Sequence, residues 1–260
     1  MTASPMIELV RRVPVADDRW LLDEEDMPEA PLHDYALEAL VLLLKAWVAR
    51  SGRDASVHRN IAMRWTPSRP KIGADPDVCV VSPALPADAT SLCLWKPGHT
   101  PPSLAIEVVS DGTASKDYLD NPARYAASGT QELWILDPLR VGPSDAGGPF
   151  AVQVYQRVAS GRFVQVYAGE GPAESALLGA WVHGPRGQLP RITEDEAGER
   201  PWLTEAEAQR AQAEAQRAQA EAQRAQAEAQ RAQAEADRAA REAAELEVAR
   251  LREELARLRG

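Results

Sequence analysis

The seven-residue unit Ala-Glu-Ala-Gln-Arg-Ala-Gln occurs four times in succession without change, from Ala206 to Gln233. A period of seven is the heptad of helices that wind around one another. Ala208, Ala211, Ala215 and Ala218 begin a stripe that advances by alternating steps of three and four and runs on to Ala232. Ala, Gln, Glu and Arg all favour the helix. Glu207 with Arg210, and Arg210 with Glu214, have the separations at which ion pairs support a helix surface. The pattern predicts one helix over residues 204–259, a rod of about 80 Å. An alanine seam buries little area per layer. The larger Leu246, Val248, Leu251, Leu255 and Leu258 are therefore where self-association is expected to concentrate. Two readings stand side by side. The rod is a coiled coil that makes a homo-oligomer or takes a partner helix, or it is a solvated single helix grown by repeat expansion.

Such a repeat has no bulky apolar side chains for a compact core, so the folded part must come from the residues before 203, where the Trp, Tyr, Phe and Pro residues lie. About 200 residues support one core. The divisions expected are an N-terminal arm over 1–30 with the acidic run Asp23-Glu24-Glu25-Asp26, a domain over 31–183, a linker over 184–202, and an alanine-rich coiled coil over 203–260. The linker is read from Gly184, Pro185, Gly187 and Pro190 and the acidic Glu194–Glu196. From Pro201 onward there are 12 acidic and 10 basic residues, against 27 and 19 before it, so most of the net charge of −10 belongs to the domain. That balance argues against a general nucleic-acid coat and leaves room for a nuclease with a local basic groove. The first ten residues lack the basic-then-apolar pattern of a secretory signal, and the apolar run 36–48 is too short to span a membrane. Two cysteines, Cys79 and Cys93, each in an apolar run, read as buried strand residues of a cytoplasmic protein.

Within the domain, Leu37, Leu40, Val41, Leu44, Trp47 and Val48 follow helical spacing, and Ser51-Gly52 is the expected stop. Residues 55–65 alternate as a strand. Val78-Cys79-Val80-Val81, Leu104–Val109 and Leu133–Leu136 are short, apolar and rich in branched residues, as strands buried on both faces are. Residues 116–128 read as a helix with Pro122 near its start. Residues 150–158 and 162–168, around Ser160-Gly161, read as a hairpin. The β–α–β stretch calls for parallel neighbours and a right-handed crossover. The fold class expected is α/β, a mixed sheet flanked by helices, followed by the long helix.

Two carboxylates interrupt these apolar strands. Asp77 follows Pro76 at the head of one, and Glu107 lies inside another. A buried carboxylate is costly unless it is paired or bound to a cation. Two on neighbouring strands form a ligand pair for Mg²⁺ or Mn²⁺, hard ions that favour carboxylate oxygen. The alternative is that each accepts hydrogen bonds from backbone or arginine.

The ordered set Pro76-Asp77, then Ile106-Glu107-Val108-Val109-Ser110, Lys116-Asp117, Tyr125 and Glu132-Leu133-Trp134-Ile135-Leu136-Asp137-Pro138 resembles a large bacterial family of putative restriction endonucleases in the PD-(D/E)xK phosphodiesterase superfamily. The resemblance runs over residues 33–182. It implies a restriction-endonuclease-like core, Asp77 and Glu107 as metal ligands, and metal-dependent hydrolysis of phosphodiester bonds in DNA. A lysine would orient the attacking water or stabilise the developing charge. The chain departs from the family there: Val109 stands where the superfamily's simplest pattern has that lysine, and Asn121 where similar chains carry it. An amide bears no charge, so Lys116, near the start of the same helix, is the catalytic lysine expected here. The competing expectation is a catalytically silent nuclease-like domain whose coiled coil recruits partners. A purely structural rod leaves the two strand carboxylates unexplained.

Around this core set, Asp75 is a further loop carboxylate, and His33 and Glu38 lie on the first helix. His33 reads equally as a residue lining the site or as part of a helix cap, whereas Glu38 reads as a solvated helix face. Arg69 and Lys71, just before the Asp77 strand, are placed where they could touch phosphate, but solvated surface is the better reading. Trp65, Trp95 and Trp134 read as core.

Overall fold

The computed structural model describes residues 8–9 and 31–259, so the rest of the expected N-terminal arm, with its acidic run, lies outside the described residues. The chain forms two units, Met1–Thr204 and Glu205–Gly260. In the first, the strands are β1 (Glu8–Leu9), β2 (Ser56–Arg59), β3 (Ala62–Arg64), β4 (Gly73–Ala74), β5 (Val78–Val81), β6 (Ser91–Cys93), β7 (Leu104–Val108), β8 (Glu132–Leu136), β9 (Val152–Arg157), β10 (Phe163–Gly169), β11 (Ala173–Ser175), β12 (Ala180–His183) and β13 (Arg191–Thr193). The helices are α1 (Pro31–Ser51) and α2 (Asn121–Ser128), and a π-helical turn, Lys116–Asp120, runs straight into α2. Gly52, at φ +62°, stops α1 in the left-handed region that glycine adopts freely.

Seven strands make the main sheet in the order β1-β10-β9-β8-β7-β5-β2. Strands β7 and β8, joined through α2, are parallel, and every other neighbouring pair is antiparallel. This is the mixed α/β sheet expected from the sequence. Alternation sorts its side chains onto two buried faces. Val78, Val80, Leu104, Ile106 and Val108 pack with Leu37, Leu40, Leu44 and Trp47 of α1. Cys79, Val81, Ala105, Leu133 and Ile135 pack with Tyr125 and Ala126 of α2. The uninterrupted apolar strands therefore reflect a sheet covered on both sides.

Two expectations are corrected. Residues 55–65 are not one strand: Asn60 takes φ +50°, and the chain leaves the main sheet as β2 to enter a three-stranded sheet, β4-β3-β6, as β3. Residues 184–202 are not a bare linker. They contain β13, which completes the sheet β11-β12-β13 with Ile192 and Thr193 buried, and Trp202 stacks on Trp47 at 6.3 Å.

The second unit is the helix α3, Glu205–Arg259, 55 residues long. Leu246, Val248, Leu251 and Leu255 are exposed on it, and the Leu258 side chain lies outside the described ones. Ion pairs such as Arg238 with Glu242, four residues apart at 3.0 Å, support its surface. No helix among the described residues is long and apolar enough to cross a membrane.

Candidate active site

Strands β5 and β7 are antiparallel with Val78 opposite Ile106, and one further step of that register sets Asp77 opposite Glu107. Both fall on the face of the sheet that carries Cys79 and Ala105, the face covered by α2. One Asp77 oxygen, Oδ2, accepts the backbone N–H of Val108 at 2.7 Å. The same oxygen lies 3.4 Å from Nε2 of the buried His33 on α1. Glu107 is 3% exposed and its Oε1 accepts the hydroxyl of Tyr125 at 2.5 Å.

The π-helical turn adds Asp117, 2% exposed. Its carboxylate accepts the Thr113 hydroxyl at 2.5 Å and the Asn121 side-chain amide at 2.9 Å. A π turn widens the helix by one residue, and such turns recur where side chains must be aimed at a site. Lys116, the preceding residue, is exposed.

The electrostatics bind these groups into one cluster. Burial pushes the Glu107 carboxyl well above its ordinary value, and the charges of Asp77 and Asp117 push it the same way, while Lys116 and the Tyr125 hydrogen bond pull it down. Burial likewise raises Asp117 to about 7, opposed by Lys116 and the Thr113 hydroxyl and assisted by Asp77. Burial and Glu107 lift the Cys79 thiol to about 12. Negative charge is concentrated here beyond what nearby donors neutralise, the condition that favours a bound cation or a retained proton. The donors are carboxylate oxygens, the type that Mg²⁺ and Mn²⁺ prefer. Among the described residues no three His, Cys, Asp or Glu side chains converge to hold an ion by themselves. Two carboxylates on neighbouring strands are a donor set of the kind that holds Mg²⁺ together with several waters.

Of the sequence candidates, Asp77 and Glu107 stand together, His33 joins them, and Lys116 lies within electrostatic reach. Asp75 does not join them as a ligand, because it pairs with Arg64 at 2.5 Å. Glu38 is exposed on α1. Trp65 and Trp134 are core, whereas Trp95 is 38% exposed, contrary to expectation. Two participants carried no role in the sequence reading, Asp117 as a buried carboxylate and Tyr125 as its neighbour's donor. Their signal was the four-residue spacing of Asp117, Asn121 and Tyr125, which places them on one helix face.

No curated protein matches the sequence. Among solved structures, the chain is similar to a putative nuclease belonging to DUF820 from Anabaena variabilis ATCC 29413. The identity is 16% and the TM-score 0.41, over 59% of this chain and 76% of that one. The family model of Uma2, putative restriction endonuclease, matches residues 22–175; that is more than half of the chain, and the chain belongs to this family.

Proposed function

We propose that the chain is a divalent-metal-dependent endonuclease that hydrolyses phosphodiester bonds in DNA. The observation that carries this reading is the placement of Asp77 opposite Glu107 in a buried cluster with excess negative charge. Asp77 and Glu107 would hold Mg²⁺ or Mn²⁺, an ion that lowers the pKa of bound water and neutralises a phosphoryl oxygen. The N–H of Val108 and the hydroxyl of Tyr125 fix the two carboxylates in place. Asp117, held by Thr113 and Asn121, adds to the field that retains the ion. Lys116 supplies the positive charge that stabilises the phosphorane-like transition state. Cys79 and Cys93, buried and not joined in a disulfide, suit a reducing cytoplasm.

Calorimetry of Mg²⁺ and Mn²⁺ with the full chain tests the site. Wild type is expected to bind, and Asp77→Ala and Glu107→Ala to abolish binding. Nicking of supercoiled plasmid is expected to require the ion, to vanish in Asp77→Ala, and to fall by about 10² in Lys116→Ala with ion affinity retained. Wild type that binds no divalent ion overturns the reading.

One observation favours a second reading, a catalytically silent nuclease-like domain that acts through a coiled coil. The position at which similar chains carry lysine is Asn121, whose amide is already engaged with Asp117. Under that reading no metal supports cleavage, and removal of residues 203–260 abolishes oligomers in sedimentation experiments.

A further inference from the structure

The positive charge of the first unit is unevenly placed. Residues 59–100 contain five Lys or Arg against three Asp, whereas the rest of residues 1–200 contains 14 against 24. This stretch, with its surplus of cations, is also the stretch that builds the small sheet. Arg59 pairs with Asp34 and Arg64 with Asp75, and Arg69 is engaged as well. Lys71 and Lys96 are exposed and make no ion pair among the described residues.

The register gathers the outlying groups at one end. Arg64 pairs with Gly73 of β4 and with Cys93 of the parallel β6, and Leu94 N–H donates to Arg64 O at 2.8 Å. The turn before β4, with Lys71, and the turn after β6, with Trp95 and Lys96, therefore leave the same end of the sheet. Trp95 is 38% exposed there, whereas Trp47, Trp65 and Trp134 are buried and Trp202 stacks on Trp47. Lys96 and His99 also line a recess with Ser91, the first residue of β6, and with Asp88 as its one carboxylate. Nδ1 of His99 accepts the Cys93 N–H at 3.1 Å. The neutral ring must then carry its proton on Nε2 and donate from that atom. Strand β4 runs from this end directly to Asp75-Pro76-Asp77. Asp77 lies six chain steps beyond Lys71, at most about 20 Å of chain, or about six base steps of a duplex.

We infer that this end of the small sheet is the platform that holds the nucleic-acid backbone for the carboxylate site, with Lys71 and Lys96 on phosphates, His99 donating to phosphate oxygen, and Trp95 against a sugar or base. Charge complementarity selects the occupant: a polyanion is attracted to this patch and repelled by the rest of an acidic unit. An exposed indole beside cations is the pairing that single strands and unstacked bases engage. The inference rests on the nuclease reading for the identity of the bound strand, and it adds where that strand lies.

The test is fluorescence anisotropy of a labelled DNA duplex with the full chain, Ca²⁺ replacing Mg²⁺, over a range of salt concentrations. Lys71→Ala with Lys96→Ala is expected to weaken binding about tenfold near 0.1 M salt and to flatten the plot of log affinity against log salt by about two. Lys45→Ala with Arg186→Ala removes two exposed charges elsewhere and is expected to leave affinity within about twofold. Trp95→Ala is expected to weaken binding more than Trp95→Phe, which keeps an aromatic face. Equal effects from the two lysine and control pairs, an unchanged salt slope, or no binding by wild type each overturn the platform. Plasmid nicking in Mg²⁺ separates this from the nuclease reading. Nicking with an unaltered KM in the lysine pair leaves the nuclease and removes the platform. Binding that depends on the lysines, without nicking by wild type, leaves the platform and removes the nuclease.

Discussion

Glu107 and Glu132 sit on adjacent parallel strands toward opposite ends of the sheet, are 3% and 2% exposed, and are both raised in pKa first of all by burial. Their surroundings differ. The Glu132 carboxylate accepts the Trp134 indole N–H at 2.7 Å, the Ser175 hydroxyl, the Gln156 amide at 3.2 Å and the Leu177 N–H at 3.3 Å. Three of them, Gln156, Ser175 and Leu177, tie β8 to β9, to the end of β11 and to the turn that follows it. Glu107 has the Tyr125 hydroxyl and faces two like charges. A buried carboxylate whose acceptors are filled by neutral donors is scaffold. One left with surplus negative charge costs stability that a bound cation or a retained proton recovers, and such imbalance gathers at functional sites. The contrast predicts opposite mutational signs. Glu132→Ala strands four donors and is expected to cost about 3 kcal/mol or more in urea denaturation. Glu107→Gln keeps an acceptor for Tyr125 and removes the repulsion, so it is expected to leave stability unchanged or raise it by about 1 kcal/mol while abolishing ion binding. A loss of stability in Glu107→Gln as large as that in Glu132→Ala would break the distinction.

The next effect in size is on pH. The Asp117 carboxyl titrates near 7 in the fold against an ordinary value of 3.8. Between those values the folded chain holds a proton that the unfolded chain has released. Its contribution to stability is therefore complete below about pH 4 and is lost as pH rises through about 7. Denaturation in chelator at pH 5 and at pH 8 is expected to differ by on the order of 2 kcal/mol, with wild type weaker at pH 8. Asp117→Asn is expected to flatten that slope. Mg²⁺ is expected to restore wild-type stability at pH 8, because an ion that binds only the folded state stabilises it by mass action.

The same contrast explains how much was readable from the sequence. Asp77 and Glu107 were legible because a carboxylate inside an apolar β-branched run violates the local pattern. Helix α1 and strands β9 and β10 are legible from their period, and β5, β7 and β8 from their unbroken, branched apolar runs. Strands β4, β6, β11 and β13 have two or three residues and show none, so the small sheets were invisible. The turn at Asn60 depends on one residue in the left-handed region, which asparagine tolerates without announcing it. Asp117 shows no role in the sequence because its burial comes from α2 closing onto the sheet, a tertiary event. Trp95 was assigned to the core on hydrophobicity alone, and only the register of β6 shows that it follows the strand's exposed end.

Tyr118 joins the two kinds of carboxylate. Its hydroxyl accepts the Phe150 N–H at 2.9 Å and has Asp137 Oδ2 and Phe150 O each at 3.1 Å for its single proton. Asp137 in turn accepts the N–H groups of Val141 and Gly142. The ring packs so closely that a Cβ on Gly142 would lie 2.2 Å from it, so only glycine fits. Through this clamp a structural carboxylate fixes the turn that carries Lys116 and Asp117. Tyr118→Phe is expected to cost about 1–2 kcal/mol, chiefly from the unpaired Phe150 N–H. It should also weaken Mg²⁺ binding in calorimetry by severalfold, although Tyr118 touches no proposed ligand. Unchanged ion affinity at reduced stability would leave the clamp purely structural.

The smallest effect should come from Tyr125→Phe, and it isolates the one neutral donor that Glu107 has. Removing the hydroxyl leaves the ring in its buried place, so the packing of α2 on the sheet persists. The hydrogen bond lowers the Glu107 pKa, so its loss should hold the proton on Glu107 more firmly. The stability cost in chelator is expected to be about 1 kcal/mol or less, because the protonated acid tolerates the lost donor better than a carboxylate would. Ion binding should suffer more, since the ion must now displace that proton. The pH at which half-maximal Mg²⁺ binding is reached in calorimetry is expected to move upward relative to wild type. For a scaffold carboxylate the ranking would be reversed, with stability falling and no ion-linked change. An unshifted pH profile in Tyr125→Phe together with a clear loss of stability would therefore place Glu107 beside Glu132, as part of the framework.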